Sequence, residues 1–238
     1  SRNIFRKKYP SKLHRVINHP LYLNSFCSFK KDEARKKLAI DETTLVVLIP
    51  GTIRNMEERK MVIQAFKSLK QKDKLLLATN MKKINFPFDF AGRVRLKKIL
   101  DVKQQYESWK NYRFSKAPYR FNYSFLSKKE FSLYVAAADI ILIPRIRILN
   151  SGNVFLGMTF KKIIIGPNLG NVKETLEKFD FPIFDPSQFI SVKKALKKAA
   201  EMASNNYQYD TEKLAQYQPV NVAEKWDELF NELINESV

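Results

Sequence analysis

Leu45-Val46-Val47-Leu48-Ile49-Pro50-Gly51-Thr52-Ile53-Arg54 decides the fold of this chain. Five consecutive apolar residues are too few for a core helix and show no polar alternation, which is how a strand covered on both faces reads. Pro50-Gly51 ends the run, and the following residues repeat at helical spacing, with Val62, Ala65, Phe66 and Leu69 on one stripe. A buried strand that passes at once into an amphipathic helix is one βα unit.

The unit recurs. Short apolar runs at 75–79, 139–144, 163–166 and 181–184 alternate with helical stripes, among them Phe131, Tyr134, Val135 and Ala138, and Val192, Ala195, Leu196 and Ala199. Strands alternating with helices predict an α/β fold, a Rossmann-like doubly wound parallel sheet with helices on both faces, over residues 42–204. Residues 1–41 form a basic lead-in that ends in a short helical pattern at 32–38. Residues 205–238 form a carboxy-terminal extension whose amphipathic helix carries Val222, Trp226, Leu229, Phe230 and Leu233. A third irregular stretch, 93–120, is rich in lysine, arginine and aromatics, with Leu96, Ile99, Leu100, Tyr106 and Trp109 roughly on one helical side. The strand order is not legible from these patterns. In such sheets ligands sit at the carboxyl ends of the strands, which directs attention to the turns after Ile49, Thr79, Pro144 and Gly166.

Composition narrows the class. The 238 residues carry 43 Lys plus Arg against 24 Asp plus Glu, a net charge of +19. Residues 1–120 hold 29 basic and 10 acidic side chains and the remainder 14 of each, so the excess belongs wholly to the first half. With 45% apolar and 13% aromatic residues the chain is no disordered polycation. Its apolar runs are far too short to span a bilayer, and nothing reads as a signal peptide. Cys27 has no partner for an internal disulfide, and beside it only His14 and His19 are present, so no metal site is expected and a reducing, cytoplasmic setting fits. The chain begins at Ser1, and the expectation is a processed product or a piece of a longer protein.

Three turns can carry chemistry. Gly51-Thr52-Ile53-Arg54 lies between a strand and a helix, where backbone N–H groups attract anions and Arg54 offers a fork for phosphate. Asn150-Ser151-Gly152-Asn153 opens the apolar helical stretch 154–160, either as a simple N-cap or as a diphosphate cradle. Gly166-Pro167-Asn168-Leu169-Gly170 runs into a short helix bearing Glu174, with a positive φ expected at Gly170. Neither G-x-x-x-x-G-K-[ST] nor G-x-G-x-x-G occurs, which leaves P-loop NTPases and dinucleotide oxidoreductases without support. No residue is assigned a catalytic role, and His19 reads as structural.

In order and spacing these residues resemble the carboxy-terminal, donor-binding domain of a GT-B fold glycosyltransferase, similar to the large retaining family that includes bacterial polysaccharide-building enzymes. Val16-Ile17-Asn18-His19-Pro20 looks like the interdomain segment and Gly51-Thr52-Ile53-Arg54 like the first glycine loop. Phe125-Leu126-Ser127 resembles the stretch that holds the nucleobase, and Asn150-Ser151-Gly152-Asn153-Val154 with Gly166 to Glu174 resembles the diphosphate and sugar region. The resemblance implies that Gly51, Thr52, Arg54, Phe125, Leu126, Asn150, Ser151, Gly152, Asn153, Val154 and Glu174 bind a nucleotide-diphosphate sugar, as substrate and with no further cofactor. Three departures stand out. The family's phosphate-contacting lysine falls at Glu57, its two glutamates eight positions apart fall at Ile148 and Leu156, and its Gly-x-Pro before the next strand reads Lys161-Lys162-Ile163.

The expectation is therefore the donor half of a hexosyltransferase-type enzyme of surface polysaccharide synthesis, with a saccharide or lipid-linked acceptor. Its acceptor-binding amino-terminal domain lies outside this chain, so the chain alone is expected to be inactive. The basic half is read as an outer face for an anionic membrane surface, placing the protein peripherally on the inner face of the plasma membrane. No nucleic-acid partner is expected. Two alternatives stay open on the residues alone: a basic nucleic-acid-binding α/β module using Tyr106, Trp109, Tyr112, Phe114 and Tyr119 for stacking, and a degenerate glycosyltransferase-like domain without activity.

Overall fold

The computed structural model describes residues 7–10, 15–80, 109, 112–114 and 116–235. His14 and most of the basic aromatic stretch, including Leu96, Ile99, Leu100 and Tyr106, lie outside the described residues.

Elements follow in the order α1 (Lys31–Lys37), β1 (Leu45–Ile49), α2 (Met56–Lys67), β2 (Lys74–Ala78), β3 (Tyr119–Phe121), α3 (Lys128–Ala137), β4 (Ile140–Leu142), α4 (Gly152–Thr159), β5 (Ile163–Pro167), α5 (Gly170–Lys178), β6 (Ile183–Phe184), α6 (Phe189–Ser204), α7 (Thr211–Ala215) and α8 (Pro219–Asn235). The six strands form one sheet ordered β3-β2-β1-β4-β5-β6, and every neighbouring pair is parallel. The α/β class and the Rossmann-like doubly wound arrangement are those the alternation predicts.

The strand order is what the sequence withheld. From β1 the chain winds outward through β2 to β3, then returns to lay β4 on the other side of β1 and winds outward again through β5 to β6. The reversal leaves a crevice between β1 and β4 at their carboxyl ends. Both strands are wholly buried, as their uninterrupted apolar composition requires. α2 packs beside α6, α1 beside α3, and α4 beside α5 and β5.

Local signals account for the helix starts. Asn55 caps α2 by accepting the Glu58 N–H at 2.8 Å. Ser127 and Glu130 cap α3 reciprocally, the serine Oγ accepting the Glu130 N–H and the glutamate accepting the Ser127 N–H. The cap matters for the site because it fixes where the preceding Phe125 and Leu126 stand.

One sequence reading needs correction. β3 falls in the stretch read as irregular, because three residues at a sheet edge are too short to show a period. The aromatics of that stretch divide rather than sharing one role: Trp109 and Tyr112 are more than half exposed. Each is covered by a cation, Arg113 at 5.6 Å from the Trp109 ring centre and Lys116 at 4.4 Å from that of Tyr112. Phe114 and Tyr119 do pack inward, against each other at 5.2 Å.

Away from the crevice, Asp139 accepts from the Arg35 guanidinium (2.7 Å), the Val46 N–H (2.8 Å) and Lys31. Lys162 lies nearby, nine-tenths buried and donating to the Ala136 carbonyl at 2.6 Å. Burial holds its ammonium pKa down to about 8, with Lys31 adding to the depression and Asp139 opposing it.

Candidate functional site

Both anion-friendly turns open onto the crevice at the reversal, one following β1 and one following β4, and a direct bond joins them. The Asn153 Nδ2 in the first turn of α4 donates to the Pro50 carbonyl at 2.8 Å. Gly51 has φ 97°, a conformation that L residues rarely adopt, and a Cβ placed on it would meet nothing within 4 Å. Its N–H is held by the Thr79 Oγ at 2.9 Å. Thr79 is 2% exposed and follows β2, so a neighbouring strand sets the angle of the glycine turn. Sequence reading had seen Thr79 only as a strand end.

The available donors are fewer than the motifs suggest. Ser151 caps α4, its Oγ accepting the Asn153 N–H at 3.3 Å and its carbonyl the Val154 N–H at 3.2 Å. The Arg54 N–H donates to Glu58 at 2.8 Å. Among the described residues the N–H groups of Thr52, Ile53 and Gly152 have no protein acceptor. They stand on the two sides of the crevice, with the exposed Arg54 side chain beside them. Three N–H donors and a guanidinium provide the chemistry to neutralise an anion.

The remaining sequence-predicted residues fall into two cavities. The first, about 400 Å³, is lined by Asn150, Ser151, Gly152, Val154 and Glu174, together with His19. The second, about 370 Å³ and mostly apolar, is lined by Gly51, Phe125 and Leu126 with Thr79 and Phe131. Phe125 is 92% exposed and Leu126 half-buried, so they make a lip rather than a core. Thr52, Arg54 and Asn153 line neither cavity and lie on the segments that join them. Gly170 takes φ 53°, as expected of this turn, and a Cβ there would meet the Leu149 carbonyl oxygen at 2.2 Å. That carbonyl accepts the Asn171 N–H at 2.8 Å, which pins α5 and its Glu174 against the loop after β4.

His19 lines the first cavity, and Tyr22 packs behind it, over Gly152. The His19 ring stacks on Phe155 at 4.6 Å, its Nδ1 donates to the Pro20 carbonyl at 2.7 Å, and its Nε2 lies 3.4 Å from the Tyr22 hydroxyl. These contacts hold the ring in place, so His19 has a structural role while also facing the cavity. The Tyr22 hydroxyl lies 2.8 Å from the position a Cβ on Gly152 would take, and burial pushes its pKa up. Tyr22 carried no sequence signal: it meets α4 across 130 residues of chain. Ile148 and Leu156, which stand where the resembled family has glutamates, pack against or within the apolar core. Among the described residues no group of three or more His, Cys, Asp or Glu could hold a metal ion.

Fold and crevice together define a Rossmann-like α/β domain with turns that present free N–H groups on both sides of its topological reversal. The architecture is similar to that of solved glycosyltransferases of the GT-B fold. Sucrose-phosphate synthase from Thermosynechococcus elongatus superposes on 98% of this chain with TM-score 0.62 at 15% identity, and the match covers 56% of that protein. HepE from Anabaena, solved in complex with UDP and glucose, matches 92% of this chain with TM-score 0.61 at 14% identity, over 57% of its own length. The carboxy-terminal domain of LpcC, a glycosyl transferase group 1 family protein from Francisella tularensis, matches 87% of this chain with TM-score 0.52 and 15% identity, and there the match covers 95% of the solved domain. The chain thus spans little more than half of the first two proteins and nearly all of the third. No protein-family model and no curated protein sequence matches it.

Proposed function

We propose that this chain is the donor-binding half of a glycosyltransferase that moves a sugar from a nucleotide-diphosphate sugar to a saccharide or lipid-linked acceptor. The observation that carries the reading is the pairing of the Gly51 and Ser151 turns across the β1–β4 reversal, joined by the Asn153–Pro50 bond. The likeness to structures solved with UDP or UDP-glucose supports it. In this reading the diphosphate lies at the free N–H groups of Thr52, Ile53 and Gly152 and at Arg54. Charge that develops on the leaving group in the transition state meets donors already oriented, which is where such donors accelerate a reaction. The apolar lip of Phe125 and Leu126 takes the base, and the cavity beside Glu174 takes the sugar.

The acceptor would come from a second domain, so binding without transfer is the expected behaviour of the chain alone. Titration calorimetry against uridine, adenosine and guanosine diphosphates tests this. One of them binds at micromolar to low millimolar concentration, and absence of heat with all three at several millimolar would refute the donor site.

The basic first half contributes Arg54 to the crevice, while Lys7, Lys8, Lys30, Lys36 and Lys37 are exposed. We assign such residues to an outer face that meets anionic lipid, where a lipid-linked acceptor would be presented. No described helix is long and apolar enough to cross a membrane. Co-sedimentation with vesicles containing anionic lipid, but not with neutral vesicles, is the expected result. Equal binding to both would overturn the electrostatic account.

A further inference from the structure

We propose that the buried pair Glu58–Arg145 is a positioning device that aims the Ile53 N–H at the diphosphate. The inference rests on the donor-site reading above and concerns how its first turn is held. Arg145, in the loop after β4, donates from Nη1 to the Glu58 Oε2 at 2.9 Å and from Nη2 to the Thr52 carbonyl at 2.9 Å. The same Glu58 oxygen accepts the Arg54 N–H at 2.8 Å. Both side chains are at least nine-tenths buried. One ion pair therefore grips the glycine turn at two backbone points, the carbonyl of Thr52 and the N–H of Arg54.

Peptide geometry turns this grip into a direction. The Thr52–Ile53 bond is trans, the one cis bond among the described residues being Ala117–Pro118. In a planar trans unit the carbonyl and the N–H point opposite ways. Arg145 draws the Thr52 carbonyl toward itself, so the Ile53 N–H must face away from Arg145, and no protein group accepts it among the described residues. The Ile53 side chain, 5% exposed, anchors the same unit from the core. Each terminal nitrogen of Arg145 already donates to a protein acceptor and the side chain is nine-tenths buried, which assigns it to holding the turn. Glu58 follows directly on Glu57, which stands where the resembled family has its phosphate-contacting lysine. The turn is thus ordered by a pair drawn from α2 and the β4 loop, 87 residues apart.

The test compares wild type, Arg145→Lys and the double variant Glu58→Gln with Arg145→Met, which removes both charges at similar volume. The probes are the tightest-binding nucleoside diphosphate and its nucleoside, with circular dichroism and thermal melting as folding controls. The double variant is expected to lose tenfold or more in diphosphate affinity while nucleoside affinity changes less than twofold. Arg145→Lys, which keeps the charge but not the two-pronged fork, is expected to fall between the two. In the wild type the Ile53 amide resonance shifts on diphosphate addition and not on nucleoside addition, a readout that needs no variant to fold. Diphosphate affinity unchanged in a folded double variant, equal loss for nucleoside and diphosphate, or a silent Ile53 amide overturns the positioning role while leaving the donor site in place. No diphosphate binding by the wild type overturns the donor site itself.

Discussion

Alanine at two glycines separates the roles that the structure gives them. Gly51 and Gly170 both have positive φ, 97° and 53°, so each substitution strains the backbone by roughly 1–2 kcal/mol. Their surroundings differ. A Cβ on Gly170 would lie 2.2 Å from the Leu149 carbonyl oxygen, a distance that forces the loop after β4 to move and breaks the 2.8 Å bond from the Asn171 N–H. The lost hydrogen bond adds about 1 kcal/mol, for a total of about 2–3 kcal/mol before any benefit of relaxation. A Cβ on Gly51 meets nothing within 4 Å, so strain is its only cost to folding. At ~2–4 °C per kcal/mol for a chain of this size, Gly170→Ala should lower the melting temperature by about 4–12 °C and Gly51→Ala by about 2–8 °C, with Gly170→Ala the larger of the two. Binding should rank the two differently. The methyl of Gly51→Ala projects into the open crevice beside the Thr52 and Ile53 donors, and diphosphate affinity is expected to drop tenfold or more in a variant that remains folded. Differential scanning fluorimetry and calorimetry read the two quantities separately. A folded Gly51→Ala that binds the diphosphate within twofold of wild type would refute the idea that the ligand approaches this turn. A Gly170→Ala that melts with wild type would refute the contact argument.

Other outcomes follow from the same geometry. Asn153→Ala removes the bond to the Pro50 carbonyl, and the expected cost is about 1 kcal/mol in urea denaturation with a severalfold loss of diphosphate affinity; an effect on stability with none on affinity would mean that the two turns bind independently. Lys162, whose pKa falls from an ordinary 10.5 to about 8 through burial, is easier to protonate in the unfolded chain. Its full penalty is therefore present below pH 8 and is relieved as pH rises toward 10.5, amounting to about 3 kcal/mol. Lys162→Met should be the more stable protein at pH 7, by about 2 kcal/mol after the lost bond to the Ala136 carbonyl. That advantage should vanish by pH 10.5, and a difference independent of pH would show that the ammonium is not desolvated as described. Tyr22→Phe removes the hydroxyl lying over Gly152 and beside the His19 Nε2; melting within about 2 °C of wild type with altered sugar-nucleotide affinity is expected, and no change in affinity would remove Tyr22 from the site.

The parts of this molecule that the sequence shows are those set by local rules. Leu45–Ile49 and 163–166 read as strands because full burial needs uninterrupted apolar residues. β3 escapes because Tyr119–Phe121 is too short to show a period, and strand order escapes because nothing in a strand's own residues names its neighbour. The site divides along the same line. Gly51, Arg54, Ser151 and Gly152 are legible, since glycine and capping residues between a strand and a helix carry their chemistry with them. Thr79, Tyr22, Glu58 and Arg145 are not, since each acts on a partner between 28 and 137 residues away, or 87 in the case of the ion pair.

This division explains a disagreement between motif and geometry. The resemblance places ligand contacts on a run of consecutive residues from Asn150 to Val154, whereas local bonding has already used the N–H groups of Asn153 and Val154 to start α4. A capped helix satisfies its own first-turn donors, and what remains for a ligand is the residue that the cap leaves out. Gly152 is that residue, and on the opposite side Thr52 and Ile53 are left by the same logic, because Thr79 holds the Gly51 N–H and Glu58 holds that of Arg54. In the proposed donor-site reading, the crevice would bind an anion with the donors that the protein does not need for itself. Its specificity is therefore set less by the motif residues than by the buried side chains that consume the other donors, and substitution of Thr79, Ser151 or Glu58 should alter the pattern of anion contacts without any of them touching the ligand.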